Sequence, residues 1–398
     1  MKKINRLREL TFIIFIMSPL LSLPLIIKGI YHRDKVAFFL FAIFMGFAAY
    51  LTLPFADLFR HTLMYYDYGK LPSADFKINF GLGGEWFIPV MDRFLYLNGI
   101  GFEFLRLLEA VISFLQLYVI CNWFIKRSDY IYTPKQIFSR FIILFLFFEF
   151  LYMITGMRFG FAMCQYIFGL HLLLNLNKKI LSLIFFYFAC AIHTSFNFFI
   201  PITFLIYITK PSKKNIIPLF MFVLLVSTSV EHILLPMMGR RAEWYFSEDS
   251  EGWGNTTIYG FIFSLVPKLC TIPFIVMLIR NYSNDNKWAR MYLAWLILGI
   301  TLINNFVVLQ RVTWVLNMLG VFLLMSLEWK IAIKYKLKRW IMYSGIALTL
   351  FNTLNFKTFF LKSDYYRLFY PVPVILSQEY ELDWILRNID NNSLKNSD

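Results

Sequence analysis

The chain is short of charge. Asp, Glu, Lys and Arg make up 16% of its 398 residues, where a soluble domain carries about a quarter. An ordinary water-facing globular protein is thereby excluded. Cysteine is scarce as well. Cys121, Cys164, Cys190 and Cys270 each sit in apolar sequence with no CxxC, which argues against a disulfide or zinc framework. His32, His61, His171, His193 and His232 show no HxxxH or HExxH spacing, so no metal or other cofactor is expected. No GxSxG marks a serine hydrolase. The glycines of "GLGGEW" (81–86) neither follow a strand nor open onto Lys-Ser/Thr, and read as a turn. Alternating ten-residue barrel strands, heptads and internal repeats are also missing.

What is present is oil. Apolar residues make up 59% and aromatic residues 20%, with 46 Phe. Runs of roughly 17–20 apolar residues recur, each able to cross a hydrocarbon core of about 30 Å. They continue to residue 356, which excludes a signal peptide followed by a soluble enzyme. The expected fold is all-α, a polytopic transmembrane helical bundle in a lipid bilayer. Its roughly 12 membrane segments read 11–27, 36–53, 102–125, 137–154, 159–176, 180–192, 195–208, 216–235, 259–279, 291–309, 312–329 and 340–356. The pair 180–192 and 195–208 is short for full crossings and reads as a tilted or re-entrant hairpin.

The formal charge of +15 does not call for nucleic acid, because Lys and Arg sit in short connectors between oily runs. "KGIYHRDK", "KRSDYIYTPKQ", "NKK", "KPSKKN", "RNYSNDNKWAR" and "KIAIKYKLKR" alternate with weakly basic connectors, which places them in the cytoplasm. The chain then forms one membrane domain, 1–398, with outer loops at 54–101 and 236–258 and a polar C-terminal tail, 357–398. The basic N-terminus "MKKINRLRE" conflicts with a spanning 11–27 unless Pro19 and Pro24 break that segment into a half-span.

A helix rise of 1.5 Å per residue turns these connectors into a depth gauge. Arg158, in "YMITGMRFGFAMC", lies about 30 Å from Lys178, and Asp57 about 33 Å from Lys35. Arg311 lies about 28 Å from Lys330, and His193 about 21 Å from Lys179. Four polar residues from separate places thus fall in one outer layer. An ionisable side chain there must pair or line a wet cavity. Each also has a structural reading: headgroup anchoring for Arg158 and for Arg311 with Trp314, a satisfied core position for His193, and an exposed loop helix for "FADLFRHTLMYYDYGK" with Asp57, Arg60 and His61. "EWFIPVMDRFLYL" reads as an amphipathic helix lying flat on the outer leaflet. "GRRAEWYFSEDSEGW" offers Arg240, Arg241, Trp244 and Tyr245, residue types that suit sugar faces and membrane interfaces alike. Glu149 is a carboxylate inside an oily run and needs a partner.

Arginines with few carboxylates suit an anionic substrate, since their forks match phosphate oxygens. A neutral His or a carboxylate nearby can accept a sugar hydroxyl proton. Together these residue types point to glycosyl transfer from a lipid diphosphate, a leaving group that needs no protonation.

The stretch "MRFGFAMCQYIFGLHLLLNLNKKILSLIFFYFACAIHTSFNFFIPI" resembles the central signature of the EpsG-like, Wzy-type polysaccharide polymerases. "FADLFRHTLMYYDY", "QRVTWVL" and "YYRLFYPVPVIL" are similar to the early Asp segment, the late Arg and the aromatic tail of that family. The family's Arg is commonly followed by Gln, whereas here Phe159 follows Arg158 and the amide comes later, at Gln165. The resemblance implies a multi-pass polymerase of the bacterial cytoplasmic membrane. It would join undecaprenyl-diphosphate-linked oligosaccharides into O-antigen, capsule or exopolysaccharide, alongside a flippase and a chain-length regulator. It also implies roles for Arg158, Arg311 and Arg60 on the diphosphate, where Arg241 is a further candidate, and for His193 or Asp57 on the acceptor hydroxyl. Two rivals are a flippase, which would show two related halves, and a polysaccharide acyltransferase, for which His32 is the candidate histidine.

Overall fold

A computed structural model describes residues 2–55, 57–81, 84–127, 133–225, 258–303, 306–328, 335–378, 380 and 382–388. Among these, the regular elements are all helices. Their ends follow local chemistry. α1 (Lys2–Met17) gives way to α2 (Pro19–Tyr31) at Ser18. The Ser18 hydroxyl accepts the Leu21 N–H at 3.4 Å, and Pro19 fills the first helical position, where no N–H is needed. The break in segment 11–27 falls there, while Pro24 stays inside α2. Asp34 caps α3 (Lys35–Tyr50) by accepting the Val36 N–H at 3.0 Å, and it also takes the Arg8 Nε–H at 2.8 Å.

The stretch after α3 holds two helices, α4 (Asp57–Lys70) and α5 (Phe87–Leu97). α4 buries Leu58, His61, Thr62 and Tyr65 along one stripe and exposes Arg60, Asp67 and Lys70. A Cβ on Gly69 would fall 2.1 Å from Tyr96 Cγ, so only glycine lets α4 lie this close to α5. α5 is amphipathic, as expected, but its polar side faces protein. Asp92 and Arg93 are buried with Ile88 and Leu95, while Phe94 and Leu97 are exposed. The α5 face that looks outward is the oily one, as suits a lipid surround.

The bundle continues through α6 (Phe102–Arg127), α7 (Pro134–Phe147), α8 (Phe150–Thr155), α9 (Met157–Leu174), α10 (Lys179–Ile192) and α11 (Ser195–Thr209). After a further helical stretch at 216–225 come α12 (Ile258–Asn281), α13 (Lys287–Thr301), α14 (Phe306–Glu328) and α15 (Tyr335–Asn355). α3 packs on α6, α9 on α10 and α6, and α14 on α12 and α13. Every residue of α9 except Arg158, Phe168 and Leu173 is buried, which marks it as the central helix. Ile180, Leu183, Leu205 and Ile208 of α10 and α11 face outward.

Three helices of the described residues are long and apolar enough to cross a membrane: Phe102–Arg127, Met157–Leu174 and Val308–Leu327. That is fewer than the expected dozen or so: several of the other expected segments are shorter helices, and some reach beyond the described residues. His193 separates α10 from α11. Glu149 separates α7 from α8 at a φ of 51°, a left-handed conformation that costs about 1 kcal/mol or more and needs local support. That support comes from two amides. The Glu149 carboxylate accepts the Asn317 side chain at 3.0 Å and the Asn352 side chain at 3.2 Å.

Residues after α15 return to the α3–α4 junction. α16 (Lys357–Lys362), a 3-10 turn (Tyr365–Phe369), α17 (Val372–Leu376) and α18 (Leu382–Asn388) lie across it. The Leu53 N–H donates to Ser363 Oγ at 3.0 Å, and the Tyr365 and Thr52 hydroxyls meet at 2.8 Å. Ile385 and Tyr380 share a small core with Leu53 and Phe59. Arg106 of α6 closes the junction from within, donating to the carbonyl oxygens of Thr52 and, at 3.1 Å, Tyr50.

Candidate functional site

Arg158 stands in the first turn of α9, after the Gly156 that interrupts the helix. Its Nη1 donates to Glu85 Oε2 at 2.7 Å, with 15% of the Arg158 side chain and 8% of the Glu85 side chain exposed. The other Glu85 oxygen accepts both the backbone N–H and the hydroxyl of Thr194 at 3.1 Å. One carboxylate thus ties together the connector before α5, the start of α9 and the turn between α10 and α11.

That turn carries His193, held extended at φ −146° and ψ 119° as α10 ends. The Ser195 N–H donates to His193 Nδ1 at 3.2 Å. An imidazole nitrogen that accepts a proton donor carries no proton itself, so the neutral ring holds its hydrogen on Nε2. His193 then carries its donor hydrogen at Nε2.

Phe159, the residue after Arg158, joins two of the candidate residues, His193 and Arg311. The His193 ring meets it edge-on at 5.3 Å between centroids, and the Arg311 guanidinium lies 5.8 Å from the ring centre. Trp314, one turn beyond Arg311, packs on the same ring at 5.6 Å. A cation within about 6 Å of an aromatic centre gains from the ring's negative face. Phe159 is the residue by which this chain departs from the family's Arg-Gln pattern, and here it is the hub. Gln165 looks elsewhere, exchanging amide hydrogen bonds with Gln116 of α6 at 2.8 and 3.2 Å.

The structure links Arg158 through Glu85 to the turn that carries His193, and His193 through Phe159 to Arg311. Arg60 lies on the exposed face of α4. Asp57 opens α4, and its side chain lies outside the described residues, as does Arg241 with the rest of 226–257. Glu149 has its two amide partners and belongs to the α7–α8 break.

Two further carboxyl groups escaped the sequence reading. Asp92 of α5 is fully buried, and neither of its oxygens has a hydrogen-bond partner among the described residues. Burial pushes its carboxyl well above the ordinary carboxylate range, against the pull of the Arg158 charge. Glu109 of α6 is buried nearby, beside a cavity of about 20 Å³ that it lines with Arg106, Ser113, Met153 and Gly160. That is room for about one water. Glu109 was findable, since it is a carboxylate within an oily run like Glu149. Glu85 and Asp92 were not, because no spacing relates them to Arg158. Among the described residues no group of three His, Cys, Asp or Glu side chains is arranged to hold a metal ion.

An all-helical protein with an oily exterior and a cluster of arginines, a carboxylate and a histidine at interrupted helix ends is a membrane protein with a polar site. The chain belongs to the EpsG family, whose model matches residues 93–371. The match takes in Arg158, His193 and Arg311. It begins beyond Asp57, Arg60, Glu85 and Asp92. Membership marks a polysaccharide-related membrane protein. No curated protein and no solved structure matches the chain.

Proposed function

We infer that the chain is an inverting, metal-independent glycosyltransferase that polymerises undecaprenyl-diphosphate-linked oligosaccharide repeat units into O-antigen or capsule. It acts at the outer face of the bacterial cytoplasmic membrane, which it crosses with about twelve segments. The observation that carries this reading is the chain of contacts from Arg158 through Glu85 to Thr194, beside His193, and from His193 through Phe159 to Arg311, within a chain of the EpsG family. Two permanent cations in one partly enclosed place fit a diphosphate better than a neutral sugar.

In this reading Arg158 and Arg311, with Arg60 and Arg241, hold the diphosphate and stabilise the charge it gains on leaving. An acceptor sugar hydroxyl attacks the anomeric carbon. The bond from that carbon to the diphosphate oxygen breaks, and the lipid diphosphate departs. The hydroxyl proton passes to Asp57 at the start of α4. His193, with its proton on Nε2, orients an oxygen as a donor. A single displacement inverts the anomeric centre. A flippase delivers the substrate, and a chain-length regulator sets where growth stops.

Deleting the protein and running surface polysaccharide on a gel tests the reading. The expected pattern is one capped repeat unit without a ladder. Loss of all surface sugar would instead mark a flippase, and an unchanged ladder an acyltransferase.

A further inference from the structure

Arg158 already has an anion against it. Glu85 Oε2 takes its Nη1 at 2.7 Å, while Glu85 Oε1 is held by Thr194. The guanidinium is not fully used by this partner. Its Nε–H is enclosed and has no hydrogen-bond partner among the described residues. An arginine fork offers five N–H donors, and an enclosed donor left unpaired costs free energy. A polyanion with several oxygens would satisfy the fork more fully than this carboxylate does.

The carboxylate comes from a connector, not from a helix core. Residues 84–86 precede α5, and Glu85 is followed by Trp86, whose indole N–H donates to the Tyr187 hydroxyl at 3.1 Å. The Trp86 ring lies against Phe80, Phe87 and Phe188. Any movement of Glu85 is therefore felt by a tryptophan next to it. Asp92 cannot take over as the counter-charge, because burial favours its neutral form.

We propose that Glu85 is a displaceable latch: its carboxylate occupies the place of a substrate phosphate on Arg158, and diphosphate binding must push it aside. The identity of the displacing anion as a diphosphate rests on the polymerase reading above. The exchange leaves the guanidinium with an anion before and after, a carboxylate first and a diphosphate oxygen next. It keeps Arg158 neutralised in the resting protein, where a lone buried cation would be costly. It also makes the site selective, because only an anion that beats a resident carboxylate gains entry.

The test is calorimetric titration of inorganic diphosphate into the full-length protein in nanodiscs. Glu85→Gln keeps the shape and removes the competing charge, so it should bind diphosphate about tenfold more tightly than wild type, about 1.4 kcal/mol. Arg158→Ala should abolish binding. Equal or weaker binding by a Glu85→Gln protein that melts like wild type would overturn the latch and leave Glu85 as a fixed brace. A second measurement needs no variant of Glu85. Diphosphate should change the part of the tryptophan emission that Trp86→Phe removes, and saturable binding without that change also overturns the proposal. The two readings fail separately. Tighter binding in Glu85→Gln with an unchanged polysaccharide ladder in the deletion strain keeps the latch and refutes the polymerase. A lost ladder with no gain in binding does the reverse.

Discussion

Replacing Arg158 with alanine separates what this side chain does for stability from what it does for chemistry. The substitution removes the ion pair and leaves Glu85, only 8% exposed, still held by the backbone N–H and hydroxyl of Thr194. Breaking a buried pair from one side costs about 3–5 kcal/mol, chiefly because the surviving charge stays desolvated. With 15% of the Arg158 side chain in contact with solvent, the lower end applies, about 3 kcal/mol. For a chain of this size that lowers the apparent melting temperature by about 5 °C. Adding Glu85→Gln removes the stranded charge, so the double variant should regain about 2 kcal/mol, a coupling that a double-mutant cycle reads directly. Polymer should not return with it, because the neutral pair cannot hold a diphosphate. The assays are a thermal melt of purified protein and a gel of surface polysaccharide from the same strains. A double variant that restores the ladder as well as the melting temperature would show that Arg158 is only a brace. Full-length polymer in the single variant would be equally damaging.

Other expectations follow from neighbouring residues. Asp92 has a folded pKa above its unfolded value of about 3.9. Between those two values the unfolded chain has lost a proton that the native state keeps, so stability falls as pH rises through that window. Asp92→Asn should flatten this slope in melts taken from pH 4 to 8, and an identical slope in both proteins would refute the assignment. His193→Gln can place an amide donor near the Nε2 position, whereas His193→Asn reaches only the Nδ1 position. Partial polymer from Gln and none from Asn is expected, and the opposite order would move the working nitrogen to Nδ1. A Cβ on Gly160 would lie 2.7 Å from Met153 Sδ and 3.0 Å from its backbone, so Gly160→Ala should force α8 off α9. The cost is about 1–3 kcal/mol, seen as a lower melting temperature with shortened chains on the gel, and wild-type behaviour in both would show that α8 yields freely.

The depth gauge rests on the fixed rise of a helix. His193 and Arg311 lie far apart in sequence, yet a constant rise per residue put both in one expected layer, and their side chains meet on Phe159. What the gauge lacks is direction around the helix axis and any grip on connectors. Glu85 lies in a connector with no periodicity, so its pairing with Arg158 depends on long-range packing. Asp92 sits in a helix whose pattern was legible but whose orientation was not: an amphipathic helix at a protein–lipid boundary turns its polar side inward. Helix breaks were partly legible. Pro19 announced the one at Ser18, while the one at Glu149 needs Asn317 and Asn352 from distant helices. Phe159 read as a departure from a motif, because sequence shows an aromatic residue and not what stacks on it.

The strap formed by residues 357–388 bears on how such a protein can be mapped. Serial truncations joined to a reporter are a common way to learn which side of a bilayer each connector occupies. Any truncation upstream of Ser363 would leave the Leu53 amide without its acceptor and the Thr52 hydroxyl without Tyr365. The α3–α4 junction, and with it the entrance to α4 and Asp57, would then be reported from a damaged molecule. Reporters inserted into connectors of the intact chain avoid this artefact.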